Sequence, residues 1–274
     1  RIPVDSAAVI KNGTVNVSDT ANIMKSLDWV IDKQYIYKND LLILDILAAN
    51  NWERPVYFSI TTGSDAYLNL QPFFRLEGLA YRLVPLRPRA TNRQINVNTE
   101  VMYKNVMEKY AWGGLDKDEV YMDENNLRMA QTMRIQMITL SNALVSEGKK
   151  DKALKVLKKC LEVLPEHSVP FFNEPYEYNI YLIQALYESG GKEDAAKICK
   201  RFFEILEGDI RYLTSFKGSE KNTMMKEVYR KTGLMNEIIV SATENGDQTT
   251  VKELELKFKA YEGYLIQDKT PQPR

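Results

Sequence analysis

The spacing of apolar side chains divides the chain into two stretches with different periods, meeting near residues 96–99. In the second stretch apolar residues recur every three or four positions, as on a helix with one buried face. Met133, Met137, Leu140 and Leu144 form one such row, and Leu154, Leu157, Leu161 and Leu164 form the next. Pro165 follows directly and predicts a helix stop, because proline has no N–H to continue the ladder. In the first stretch the periods are shorter and mixed. Asn39 or Asp40 predicts a helix start, since either side chain can accept from a first-turn N–H. Leu41, Leu44, Leu47 and Ala48 then keep helical spacing, and Asn50-Asn51 predicts the end. Val56, Phe58 and Ile60 alternate with Tyr57 and Ser59, the period of a half-buried strand. Residues 61–65 read as a turn, and 76–86 as a short helix running into a second strand over 81–84. Residues 24–31 read as another strand or a helix, with no period that separates the two.

The second stretch also repeats itself. Gly148 is followed five residues later by Ala153 and twelve later by Cys160. Gly190 stands in the same relation to Ala195 and Phe202, and Gly246 to Val251 and Phe258. Ala143-Leu144 and Ala185-Leu186 each precede their glycine by five. This pattern predicts a helix, a tight turn and a second helix whose small residue lets the pair pack closely, as in a tetratricopeptide repeat. The glycines lie 42 and then 56 residues apart, so the spacing departs from the ideal repeat. The third copy lacks the alanine. The expected organisation is α+β overall: a small module over 1–98, then an all-α, tetratricopeptide-like domain over 99–274. Its repeats are expected at about 129–165 and 176–210, with a weaker third at 223–265.

Composition narrows the function classes. Among 274 residues, 37 Lys and Arg balance 37 Asp and Glu, leaving no net field to hold a nucleic acid. No nucleic-acid partner is expected. The longest apolar run, 41–49, contains Asp45 and is far shorter than the roughly 20 residues of a membrane helix. Two cysteines make no disulfide scaffold and one histidine leaves little room for zinc or histidine catalysis. No phosphate-binding glycine loop and no nucleophile elbow is present, so no cofactor or metal is expected. The sequence opens Arg1-Ile2-Pro3-Val4, without Met or a signal peptide, and reads as a piece of something longer.

Several residues invite a chemical reading. Trp52, Arg54, Tyr57, Tyr67, Glu77, Tyr81 and Arg82 combine aromatic rings with Arg and Glu near strand ends. Such a set can bind sugar by stacking and bidentate hydrogen bonds, or can satisfy itself inside the module. Asp40 and Asp45, five apart, fall about 140° from each other on a helix and do not form a carboxylate pair. Asp45 is expected to accept from a buried partner such as Trp52 or Arg54. Arg82, Arg87, Arg89 and Arg93 form an acid-free run, read as a solvated edge or a neighbour of anionic headgroups. His167 follows a helix stop and is read as an ordinary loop residue. Cys160 and Cys199 are read as core packing, although a disulfide between repeats stays open. On the repeats, Arg134, Tyr176, Tyr178, Asn179 and Gln184 are the expected exposed binding surface.

Residues 39–58, NDLLILDILAANNWERPVYF, and 76–85, LEGLAYRLVP, carry a resemblance. With 121–129, YMDENNLRM, they resemble the C-terminal region of a Bacteroidota family of large polytopic membrane proteins, long a domain of unknown function. That family is similar to GT-C glycosyltransferases and to transmembrane protein O-mannosyltransferases. The resemblance implies a parent with many membrane helices, a lipid-linked sugar donor and this region on the periplasmic face of the inner membrane. It implies that catalytic acids lie in membrane loops outside this sequence, so this region itself is expected to be non-catalytic. The implied partners are the membrane-embedded part of the same chain and an acceptor protein or peptide. The rival readings are a tetratricopeptide-type adaptor with no enzymatic parent, and an independent enzyme using Glu77, Asp65 and Arg54.

Overall fold

Glycines and short alternating runs shape the first part of the chain, and long amphipathic helices the second. A computed structural model describes residues 1–88, 96–117, 120–171 and 177–265. Arg89, Arg93, Pro175 and Tyr176 lie outside the described residues. The chain divides into two units, Arg1–Tyr110 and Ala111–Arg274. The first mixes helix and sheet and the second is helical, which together make an α+β protein.

In the first unit β1 (Ile2–Pro3) pairs antiparallel with β2 (Ser26–Leu27), enclosing α1 (Ser6–Lys11). A second sheet is built from β3 (Tyr57–Ser59), β4 (Phe74–Leu76) and β5 (Ala80–Leu83), in the order β3-β5-β4. The pleat sends Phe58, Phe74, Leu76, Tyr81 and Leu83 to one face, as period two requires. There Phe74 stacks on Tyr81 at 5.5 Å between ring centroids, and Tyr67 stands edge-on to Phe58 and Phe74. Each such pair adds about 0.5–1.5 kcal/mol beyond its area burial. Val9, Val15, Leu27, Leu47, Trp52, Leu70 and Val84 complete this core.

Two local readings change. Residues 76–80 form no helix: β4 turns into β5 through Gly78, whose φ of +132° suits glycine. A side chain there would also strike the Tyr110 hydroxyl. The helix α2 (Lys38–Ala49) starts at the N-cap Tyr37, before Asn39 and Asp40. Asp40 instead reaches back from inside the first turn, accepting from the Tyr37 N–H at 3.0 Å and from Lys33 Nζ at 2.8 Å. The Lys33 bond, with the backbone bond behind it, holds the Asp40 carboxyl below its usual range. The predicted end at Asn50 stands, whereas the apolar row splits: Leu47 is buried and Leu41 lies in solvent. A short helix α3 (Thr99–Lys104), capped by Asn98, follows the sheet and runs into a π-helical turn over Asn105–Lys109.

The second unit is a succession of helices: α4 (Glu124–Ser146), α5 (Lys150–Val163), α6 (Glu177–Glu188), α7 (Lys192–Thr214), α8 (Gly218–Glu244), α9 (Gln248–Phe258) and α10 (Glu262–Leu265). Gly148, Gly190 and Gly246 sit at the centres of three-residue turns joining α4 to α5, α6 to α7 and α8 to α9, with φ of +75°, +87° and +65°. All three turns close identically. The residue after the glycine donates five positions back (Lys149 to Leu144, Gly191 to Leu186, Asp247 to Ala242), and the glycine donates three back. This is the Schellman closure, which needs a left-handed residue at its centre. Ala153, Ala195 and Val251 are all buried five residues on, so valine fits where the other two pairs use alanine. Phe202, Phe203, Leu206, Val228, Met235 and Ile238 belong to the core that joins the last two pairs. Among the described residues no helix is long and apolar enough to cross a membrane.

Candidate functional site

The opposite face of the second sheet is polar, and it gathers Tyr57, Glu77 and Arg82 from the predicted set. The register places Tyr57 beside Arg82, and Arg82 beside Arg75. Two arginines side by side on one sheet repel, so each needs a counter-charge. Arg75 donates to Asp19 at 2.7 Å, and Arg82 lies 3.7 Å from Glu77 while donating to Thr14 Oγ1 at 3.1 Å. Glu77 is buried in turn. It accepts from the Tyr57 hydroxyl at 2.7 Å and from Asn98 Nδ2 at 2.8 Å. Its backbone carbonyl takes Asn105 Nδ2, also at 2.8 Å. Arg82 stands over the Tyr57 ring at 5.6 Å. Burial, with the Glu77 hydrogen bond second, pushes the Tyr57 phenol up to about 12. Such a phenol stays protonated at neutral pH and donates to the carboxylate.

This arrangement is chemically closed. Both Glu77 oxygens already accept and its charge faces a guanidinium; Arg82 Nε, left without an acceptor among the described residues, is buried. Neither a general base nor a bidentate sugar clamp is left over. The other members of the predicted set stand apart. Trp52 is core: its indole donates to the Pro3 carbonyl at 2.7 Å and its own carbonyl accepts from Asn12. Its φ of +61°, after Asn51 at +46°, is a left-handed turn held by those two bonds. Asp45 is exposed and takes no bond from Trp52. Arg54 and Asp65 are also exposed, and Tyr81 packs in the aromatic stack. Arg82 is therefore interior, correcting its reading as part of a solvated arginine edge; Arg87 is exposed.

In the second unit Arg134 and Asn179 are 3% exposed, so neither contributes to an accessible surface. Arg134 donates to the carbonyls of Leu164 at 2.9 Å and Val169 at 2.7 Å and lies 4.9 Å from the Phe171 ring centre. Asn179 donates to the Phe171 carbonyl at 2.7 Å. Together they hold the loop after α5 onto α4 and α6. Tyr178 is half-buried against Tyr181, and it is Tyr181, with Gln184, that α6 presents to solvent. Cys160 and Cys199 are free and buried, and burial pushes both thiols up to about 11.

Sequence reasoning missed a second buried polar knot. Asp247 caps α9, accepting from Thr250 Oγ1 at 2.8 Å, and takes the Tyr187 hydroxyl at 3.0 Å. Burial alone would raise the Asp247 carboxyl; the Thr250 and Tyr187 bonds outweigh it and hold it low. The signal was legible as an N-cap, an Asp directly after the turn glycine with Thr three on. An open groove of about 560 Å³ lies beside this knot, lined by Lys158, Lys192, Lys200 and the Gly190-Gly191 turn. Two of its three lysines are engaged: Lys192 donates to the Gly246 carbonyl and Lys200 pairs with Glu253 at 2.6 Å. Among the described residues no cluster of His, Cys, Asp and Glu is placed to hold a metal ion.

Residues 1–101 match the family model described as TMEM260-associated domain 2. The match spans the sheet, the Tyr57–Glu77–Arg82 cluster and α2, and stops before α4. No curated protein and no solved structure matches the chain.

Proposed function

We propose that this chain is an accessory, non-catalytic region of a membrane-embedded protein of the GT-C glycosyltransferase kind, similar to the protein O-mannosyltransferases. It would stand on the periplasmic face of the membrane. The observation that carries the reading is the match of residues 1–101 to a domain named for its association with TMEM260, a membrane protein. Two further points support it. The blocks at 39–58 and 76–85 resemble the C-terminal region of such proteins. The acid, arginine and tyrosine gathered at Glu77 are spent on holding the sheet together, which in this reading leaves chemistry to the membrane part.

In this reading α4 to α9 are three tetratricopeptide-like pairs, and the first helix of each offers a surface for an extended segment of an acceptor protein. Tyr178, Tyr181 and Gln184 on α6 are the residues for that surface, an amphipathic ring and an amide suited to peptide backbone. Two measurements test the reading. The coding sequence upstream of the Arg1 codon should specify around ten apolar segments of spanning length. A lone signal peptide there would refute the membrane parent and leave a secreted adaptor. Second, Tyr181→Ala with Gln184→Ala should weaken binding of acceptor segments at least about tenfold with helix content unchanged. Unaltered binding would remove α6 from the interface.

A further inference from the structure

The helix α2 does not behave as a buried helix of a closed unit. Its inner side is Leu47, with Asp40 at the capped end and Ile43 and Leu44 half-buried beside them, while the outer side is in water. Leu41, Leu42 and Ile46 are 58%, 62% and 50% exposed, and Tyr35, Ile36 and Tyr37, just before the helix, are exposed too. The patch continues through Ile46 to Tyr57, which line one groove of about 270 Å³ beside the edge strand β3. At about 200 Å² for a fully exposed large side chain, these seven residues present roughly 750 Å². Ordinary monomers leave their largest apolar patch at about 300–600 Å², and a stable interface needs about 800 Å² from each partner.

The charges on the same face choose the partner. Lys38 and Asp45 are exposed, seven residues apart, and neither has an ion-pair partner among the described residues. On a helix they lie about 20° apart and about 10 Å along the axis, with Leu41 and Leu42 midway between them. A two-fold axis through that midpoint sets a second α2 antiparallel to the first. Leu41 then meets Leu42, and Tyr37 meets Ile46. Lys38 of each copy faces Asp45 of the other, so the patch is complementary to itself in charge as well as in apolar character. Self-complementarity under a two-fold is the requirement of an isologous dimer. A bilayer surface would leave Asp45 facing lipid in the middle of the patch, without a counter-charge.

We propose that the α2 face is a two-fold interface between two copies of this chain, with the Lys38–Asp45 pair made twice across it. The test is sedimentation velocity of the 274-residue chain over about three decades of concentration around micromolar. The wild-type chain should show a monomer–dimer equilibrium. Lys38→Asp alone and Asp45→Lys alone each turn two attractions into repulsions and should raise the dissociation constant about tenfold or more. The double reversal restores both pairs and should return it to within about threefold of the wild type. Circular dichroism confirms that these solvent-facing changes leave the helices intact. A chain that stays monomeric throughout, single reversals without effect, or a double reversal that fails to rescue would each overturn the proposal. Co-sedimentation of a monomeric chain with phosphatidylcholine vesicles would overturn it too, assigning the face to a lipid surface.

Discussion

Replacing Glu77 by Gln separates a structural role for the polar sheet face from a binding role. The substitution keeps the shape and removes the charge that Arg82 faces at 3.7 Å, with both side chains less than a tenth exposed. At an effective dielectric near 20 the lost attraction is about 4 kcal/mol. The Tyr57 bond survives in weakened form. The Asn98 bond becomes donor against donor at one amide orientation, because Asn98 Oδ1 is already committed to the Val101 N–H. Relief of the carboxylate's desolvation offsets part of this. Removing one member of a buried pair therefore destabilises by about 3–5 kcal/mol. Urea unfolding followed by tryptophan fluorescence reads it, since Trp29 and Trp52 belong to the first unit. With a urea slope of about 1–2 kcal/mol per molar for a unit this size, the midpoint should fall by roughly 3 M. Glu77→Leu with Arg82→Met, removing both charges, should recover most of the loss. A change below about 1 kcal/mol on Glu77→Gln would refute the reasoning and return the cluster to the ligand-binding candidates.

Three other expectations follow from the same geometry. Arg134→Met keeps the apolar stem but strands the Leu164 and Val169 carbonyls. Thermal unfolding of the helical signal should show a loss of about 3 kcal/mol. The Tyr57 phenol is raised from about 10 in the unfolded chain to about 12. Its contribution to stability is complete below pH 10 and fades as pH climbs through 12, so Tyr57→Phe should flatten the alkaline arm of the stability profile. The buried thiols of Cys160 and Cys199 should react with a thiol reagent at pH 8 only after denaturant is added; prompt labelling of the native chain would contradict their burial.

The sequence disclosed most where one local rule decides the outcome. Gly148, Gly190 and Gly246 announced three turns because a left-handed residue after a helix is usually glycine, and Pro165 announced a stop. It disclosed least where a partner far along the chain decides. Nothing near Arg82 says that Thr14 is its acceptor, and nothing near Arg134 says that it collects two loop carbonyls, so both read as surface candidates. The helix expected over 76–80 failed for a similar reason: Gly78 and the alternation of Phe74, Leu76, Tyr81 and Leu83 compete with local helical spacing, and the sheet prevails. For α2 the register of Leu41, Leu44, Leu47 and Ala48 suggested a single buried face, whereas only Leu47 is fully covered.

The neutralisation of Arg75 and Arg82 bears on the order in which the first unit assembles. The counter-charge of Arg75, Asp19, lies 56 residues earlier, whereas Glu77, which faces Arg82, sits in the β4–β5 turn itself; the hairpin can therefore form with Arg75 uncompensated and with the Arg82 bond to Thr14, 68 residues earlier, still unmade. Closing loops of that length is slow compared with closing three-residue helical turns. The N-terminal segment thus acts as a late latch: the strands are held provisionally until residues 12–20 settle over them. Pulsed amide exchange should find the turns at Gly148, Gly190 and Gly246 protected before the amides of β5. A truncation that removes Asp19 should leave the helical unit's folding rate unchanged while the sheet never becomes fully protected.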